Sequence, residues 1–194
     1  MTNVKTCILT AAGTIVTPEG RLSYPHLFKP NPKAKTQDGR LKYTGSILLP
    51  PDSDLMLLRN AANDAVIAEW GSEKSKRPKN IKAPFLDAYE KSEDEQFKGW
   101  TLLRVSTLQQ PQVVNGAGLP VSDPSDAYAG RWVRFSVRAG TYTTDTNSGV
   151  SFFLSNVQLL RDDEPLAGGK VQAQDEFVPI EGVSGSGTAD DVFS

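Results

Sequence analysis

The residues that most often build catalytic and metal centres are nearly missing from this chain. Its 194 residues include one cysteine, Cys7, and one histidine, His26. A single cysteine excludes an internal disulfide and fits a reducing compartment. Set in an apolar stretch, Cys7 reads as a small core residue. Zinc needs several nitrogen or sulfur ligands, which His26 and a distant Cys7 cannot supply, so no metal and no cofactor is expected. There is no long apolar run, hence no expected membrane span. No charged start leads into an apolar stretch and cleavage site, so a cytoplasmic protein is expected. Gly116-Ala117-Gly118 lacks the lysine and the helix of a phosphate loop. The carboxylate pairs Asp52/Asp54, Asp123/Asp126 and Asp162/Asp163 fall in turns or linkers, where acids cap and solvate. No catalytic set can be assembled, and the chain is not read as an enzyme.

What is present is glycine and proline in quantity, 16 and 13 residues, which suits a loop-rich β protein. The net charge of −2 conceals a division. Residues 1–161 hold 20 Lys and Arg against 15 Asp and Glu, whereas residues 162–194 hold 1 against 8. A mildly basic body carries an acidic tail. The expected organisation is therefore a domain over 1–161 and a flexible tail over 162–194.

Within the body, residues 4–17 are rich in β-branched side chains and read as one strand, bent at Gly13. Arg21–Phe28 is extended and, with Pro25 in it, an edge or irregular strand. Lys29–Gly39 reads as a basic loop, and Arg40–Leu49 alternates as a strand. Asp52 or Ser53 is expected to cap a helix that runs to Trp70, closes at Gly71 and buries Trp70. After a basic loop over 72–82 and an irregular polar stretch, strand character returns over 99–114, 131–142 and 150–160. The last two are joined by an Asn-Ser-Gly turn. Five or six strands with one inserted helix suit a mainly β, OB-fold-like Greek-key barrel. A β-sandwich with a side helix is the rival.

Residues 131–142, Arg-Trp-Val-Arg-Phe-Ser-Val-Arg-Ala-Gly-Thr-Tyr, divide at a period of two. Val133, Phe135, Val137 and Ala139 make a core face. Trp132, Arg134, Ser136 and Arg138 face the other way, followed by Tyr142. Two readings fit that second face. It is a solvated surface with arginine stems lying over a half-buried tryptophan, or a groove where guanidinium meets phosphate and a ring meets a base. The pattern recurs: Trp100, Arg104 and Ser106 share one parity, Arg21 precedes Tyr24, and Lys42 adjoins Tyr43. Tyr24 and Tyr43 also share parity with core-like residues, so burial is open for both. The candidate nucleic-acid-binding set is Arg21, Tyr24, Lys42, Tyr43, Trp100, Arg104, Trp132, Arg134, Arg138 and Tyr142.

Residues 166–189 hold little to bury and are expected to be disordered. The end, Asp190-Asp191-Val192-Phe193-Ser194, joins an acidic pair to an apolar pair. It suits a docking peptide, with Phe193 filling a pocket and Asp190 and Asp191 meeting a basic rim, or a segment that competes for the chain's own groove.

Gly-Arg-Leu-Ser-Tyr-Pro-His-Leu-Phe (20–28), Lys-Tyr-Thr-Gly-Ser-Ile-Leu-Leu-Pro (42–50), Pro-Gln-Val-Val (111–114) and Asn-Val-Gln-Leu-Leu-Arg-Asp-Asp-Glu-Pro-Leu (156–166) together resemble a family of bacteriophage single-stranded DNA-binding proteins. That resemblance implies an OB fold, binding of single-stranded DNA without sequence preference, and a role in phage DNA replication or recombination. The acidic tail is similar to those through which such proteins recruit phage or host replication proteins, although here Ser194 follows the phenylalanine. Self-association is compatible with this reading. The alternative from another class is a structural or assembly protein of a phage particle whose β domain binds protein.

Overall fold

The computed structural model describes residues 4–144 and 146–166. Among the described residues ten strands form one sheet. In chain order they are β1 (Ile8–Leu9), β2 (Ile15–Val16), β3 (Gly20–Lys35), β4 (Leu41–Leu49), β5 (Ile81–Lys82), β6 (Phe85–Asp87), β7 (Thr101–Thr107), β8 (Gln112–Val114), β9 (Trp132–Thr143) and β10 (Ser148–Leu159). Helix α1 (Met56–Trp70) lies between β4 and β5, and a single-turn α2 (Tyr89–Ser92) follows β6. The chain is mainly β, as its composition implied. Among the described residues every strand joins one sheet, whereas the rival β-sandwich would show two.

Five long strands pair in a circuit. β3 pairs with β4, β4 with β7, and β7 with β10 in parallel; β10 pairs with β9, and β9 returns to β3. The circuit is uneven. The β9–β10 ladder runs from Val133 to Thr143, whereas the β3–β9 and β7–β10 ladders are two residue pairs each. The sheet closes through short seams and is not a clear barrel.

The alternation expected of residues 131–142 is present: Val133, Phe135 and Val137 are fully buried. They meet Leu22, Ile47, Leu49, Leu103, Phe152, Leu154, Val157 and Leu159 in the main core. Each such side chain contributes roughly 1.5–3 kcal/mol on burial. Leu48 and Leu102 have the opposite parity and build a smaller cluster with Ala88, Phe97, Leu86, Trp100 and Leu166. One end of the outer face of β4 and β7 is thus roofed by residues 86–100.

Several expectations shift. Residues 4–17 form two short strands, since the chain reverses at Gly13, whose φ of +74° is left-handed. β3 continues through the expected basic loop to Lys35. Helix α1 starts after Leu55, and Asp54 rather than Asp52 or Ser53 accepts the Met56 amide, at 2.9 Å. Gly71 ends it at φ +80° as expected. Trp70 is only half-buried and joins neither core cluster. Residues 99–114 split at Pro111, which has no amide to donate.

The body also extends past the boundary expected at Arg161. Asp163 accepts the Trp132 indole N–H at 2.7 Å, the Leu166 amide donates to Ala129 O at 3.0 Å, and Leu166 packs on the smaller cluster. The expected disorder of residues 167–194, and the roles given to Asp190, Asp191 and Phe193, lie outside the described residues.

Candidate nucleic-acid interface

β3 carries Pro25, Pro30 and Pro32, none of which can donate to a ladder. Its register with β4 accordingly slips between Ser23 and His26, between His26 and Asn31, and between Asn31 and Lys35. The additional residues all sit on β3, so this strand arches away from the sheet. Asn31 fastens the arch by donating to Thr44 Oγ1 at 3.0 Å, while its carbonyl oxygen accepts the Lys33 amide at 2.9 Å.

Between the arch and the outer face of the sheet runs a trough of about 590 Å³. Tyr24, His26 and Lys33 stand on the arch side, and Ser46, Arg104, Ser106 and Ser151 line the floor and far wall. Ladder register explains the floor. Ser46 is opposite Arg104, Thr44 opposite Ser106, and Ser106 beside Phe153. Within the trough the outward positions of β4, β7 and β10 are therefore small and polar around one arginine. Arg104 is exposed. Tyr24 is 76% exposed and holds a φ of +46°, a left-handed conformation that a tyrosine adopts only under constraint.

Arg21, Trp100 and Trp132 are not part of this trough. Arg21 is 8% exposed. Its guanidinium donates to Gly130 O at 3.0 Å and to Glu164 O, and lies 3.6 Å from the Asp163 carboxylate. The Trp132 indole N–H is taken by Asp163, and Arg161 lies 4.0 Å over its ring. Arg161 in turn makes a bidentate pair, at 2.8 and 2.9 Å, with Glu19, which is only 2% exposed. Trp100 packs edge-on against Phe97 and lies 6.2 Å from Trp132. These side chains form a buttress that seats the segment leaving β10. Burial alone would raise the Asp163 carboxyl. The Trp132 and Glu164 N–H groups, with the Arg21 and Arg161 charges, outweigh it and hold Asp163 below the usual carboxylate range.

The other candidates separate as well. Arg134 has the outward parity but is half-buried, and its Nε donates to Thr17 O at 2.8 Å. Burial lowers its pKa. Arg138, further along β9, is exposed, with Nη2 donating to Ala12 O at 2.6 Å. Tyr142 is half-buried and lies across Gly149 on β10. Lys42 is half-buried opposite Asn31, at the base of the arch, and Tyr43 has the core parity opposite Thr107. Sequence reading left His26 and Lys33 outside the binding set and omitted Phe153. The signal for Phe153 was its alternation with Phe152 and Leu154 in β10.

Among the described residues no group of three or more His, Cys, Asp or Glu could hold a metal ion. Burial, the largest influence on Cys7, pushes its thiol up to about 11, so it is no ready nucleophile. No described helix is long and apolar enough to cross a membrane.

Comparison with known proteins adds a family. Residues 13–191 match a family model described as "Enterobacter phage Enc34, ssDNA-binding protein". The chain belongs to that Enc34 family. A protein named p50 from Acyrthosiphon pisum secondary endosymbiont phage 1 is 28% identical over 166 residues, covering 81% of this chain and 88% of the relative. The structure of the single-stranded DNA-binding protein of bacteriophage Enc34 in complex with ssDNA matches at TM-score 0.67 and 22% identity, covering 86% of this chain and 97% of that one. The gp2.5 single-stranded DNA-binding protein of bacteriophage T7 matches at TM-score 0.56 and 17% identity, over 84% and 99%. At these identities the two structures establish a shared fold. The match to the Enc34 family spans both the arch and the buttress.

Proposed function

We infer that the protein binds single-stranded DNA without regard to sequence, along the trough between the β3 arch and the outer face of β4, β7 and β10. The observation that carries this reading is an exposed arginine, Arg104, set among serines beneath an exposed tyrosine, Tyr24. A cationic floor meets phosphate, and a flat ring at the rim meets a base whatever its identity. Membership of the Enc34 family supports the same ligand. The five-strand circuit with a helix inserted supports an OB-type barrel, whose strand face and loops suit nucleic-acid strands. The protein acts as a binding module rather than an enzyme, in phage DNA replication or recombination in the host cytoplasm, and Asp190, Asp191 and Phe193 serve to dock partner proteins.

Titration with single- and double-stranded oligonucleotides of matched length tests the reading. Single strands are expected to bind more tightly, with log K falling linearly in log salt by about 0.7 per phosphate neutralised. Arg104→Ala is expected to weaken binding about tenfold and to remove roughly one phosphate from that slope. Equal affinity for both forms of DNA, or no change on Arg104→Ala, would overturn it.

A further inference from the structure

Beyond the trough, the outer face continues across β10 and β9, and two aromatic rings there lie on glycines. β10 pairs Ser151 with Gly140, Phe153 with Arg138, and Gly149 with Tyr142. A Cβ on Gly140 would fall 2.4 Å from Phe153 Cε2, and one on Gly149 within 2.6–2.8 Å of the Tyr142 ring and hydroxyl. Glycine leaves room for the edge of the Phe153 ring at Gly140 and for the face of the Tyr142 ring at Gly149. Phe153 is 46% exposed. Phe152, its neighbour in sequence, is wholly buried.

The Phe153 ring therefore meets Gly140 by its edge and keeps nearly half of its surface in solvent. One cation adjoins it directly, and a second stands four residues along β10. Arg138 is the direct cross-strand partner, Ser106 lies on the other side, and Lys82 of β5 is exposed beside Gly149. The strand order β3–β4–β7–β10 puts Phe153 three strands from His26, through Thr44 and Ser106. At a spacing of ~4.8 Å that is ~14 Å, about four base steps at 3.4 Å.

We propose that Phe153 is a second base-stacking platform, at the far end of the bound strand from Tyr24, with Arg138 and Lys82 meeting the phosphates beside it. Gly140 and Gly149 are then the positions that make room for the Phe153 and Tyr142 rings, because a side chain there would displace them. The proposal rests on the inferred single-strand binding and assigns its second subsite. The strand crosses the sheet from the arch to the β9–β10 hairpin, and its length on the protein is set by the distance between the two rings.

The experiment compares Phe153→Leu, Phe153→Trp and Arg104→Ala with the unmodified protein, by fluorescence anisotropy with labelled oligo(dT) over a salt series. Leucine covers Gly140 but has no π face. Phe153→Leu is expected to bind about tenfold more weakly, within the range measured for base–aromatic stacks, with an unchanged salt slope and an unchanged thermal midpoint. Phe153→Trp is expected to bind at least as tightly as the unmodified protein. If Phe153→Leu binds normally while Arg104→Ala does not, Phe153 merely covers the sheet and the second subsite is overturned. Equal weakening by tryptophan and leucine overturns it as well. If all three variants bind normally, the trough reading itself fails.

Discussion

The buttress and the trough are built from the same residue types and behave as opposites. In the buttress, Arg21, Arg161 and Trp132 meet Asp163, Glu19, Gly130 O and Glu164 O, so their charges and N–H groups already have partners inside the chain, and Trp100 packs on Phe97 beside Trp132. In the trough and its continuation, Arg104, Tyr24 and Phe153 are exposed beside small polar side chains. Aromatic residues interleaved with arginines therefore do not by themselves mark a binding surface. The difference is whether the fold supplies the anion. Where Glu19 and Asp163 are at hand, the guanidinium is held inside the protein; where serines surround it, the guanidinium stays exposed to solvent.

The comparison breaks most visibly at Arg21. Arg21→Ala would leave Gly130 O and Glu164 O without their guanidinium donor and Asp163 without one of its two cations, and losing one side of a buried charged network costs about 3 kcal/mol. For a domain of this size that is a fall of roughly 6–12 °C in thermal midpoint. Single-strand affinity of the folded protein is expected to stay within about twofold, as the buttress lies outside the trough. A tenfold loss of affinity at an unchanged midpoint would place Arg21 in the interface.

Tyr24→Gly separates stability from binding in the opposite sense. Glycine relieves the left-handed backbone, so stability is expected to rise by about 1 kcal/mol. Removal of the ring is expected to weaken oligo(dT) binding about tenfold. Chemical denaturation and anisotropy on the same samples check both signs, and a parallel fall of the two would mean that Tyr24 is structural.

The smallest effect concerns pH. Asp163 titrates below the ordinary carboxylate range near 3.9. Its depressed pKa means that the stabilisation is fully present above that range and is lost as pH falls through the folded-state value. Tryptophan emission, to which Trp132 hydrogen-bonded to Asp163 contributes, is expected to stay constant from neutral pH down to about 4 and to change below it. A transition centred near pH 6 would rule out Asp163 as the titrating group of the buttress.

Much of this was legible in residue order. Val133, Phe135 and Val137 alternate with Trp132, Arg134 and Arg138, and β9 contains no irregularity to exchange its faces; the one register shift in its ladder with β10 falls between Leu154 and Asn156. The helix through Trp70, its stop at Gly71 and the β9–β10 hairpin were equally readable. Arg104 and Tyr24 were named as candidates on residue type and parity, and the trough contains both. Trp132 and Arg21 were named on the same grounds, yet both lie in the buttress. Their partners, Asp163 and Glu164, are 31 and 143 residues away in sequence. No local pattern carries a contact of that span.

Alternation thus determined by itself which side chains leave the core, because a pleated strand sends neighbours to opposite faces whatever surrounds it. Tertiary structure alone decided which outward face is covered. The segment over 162–166 lies against Trp132, residues 86–100 roof Leu48 and Leu102, and the proline-rich arch stands clear of Arg104. Those coverings join parts of the chain far apart in sequence, where packing and charge pairing, not local propensity, set the outcome.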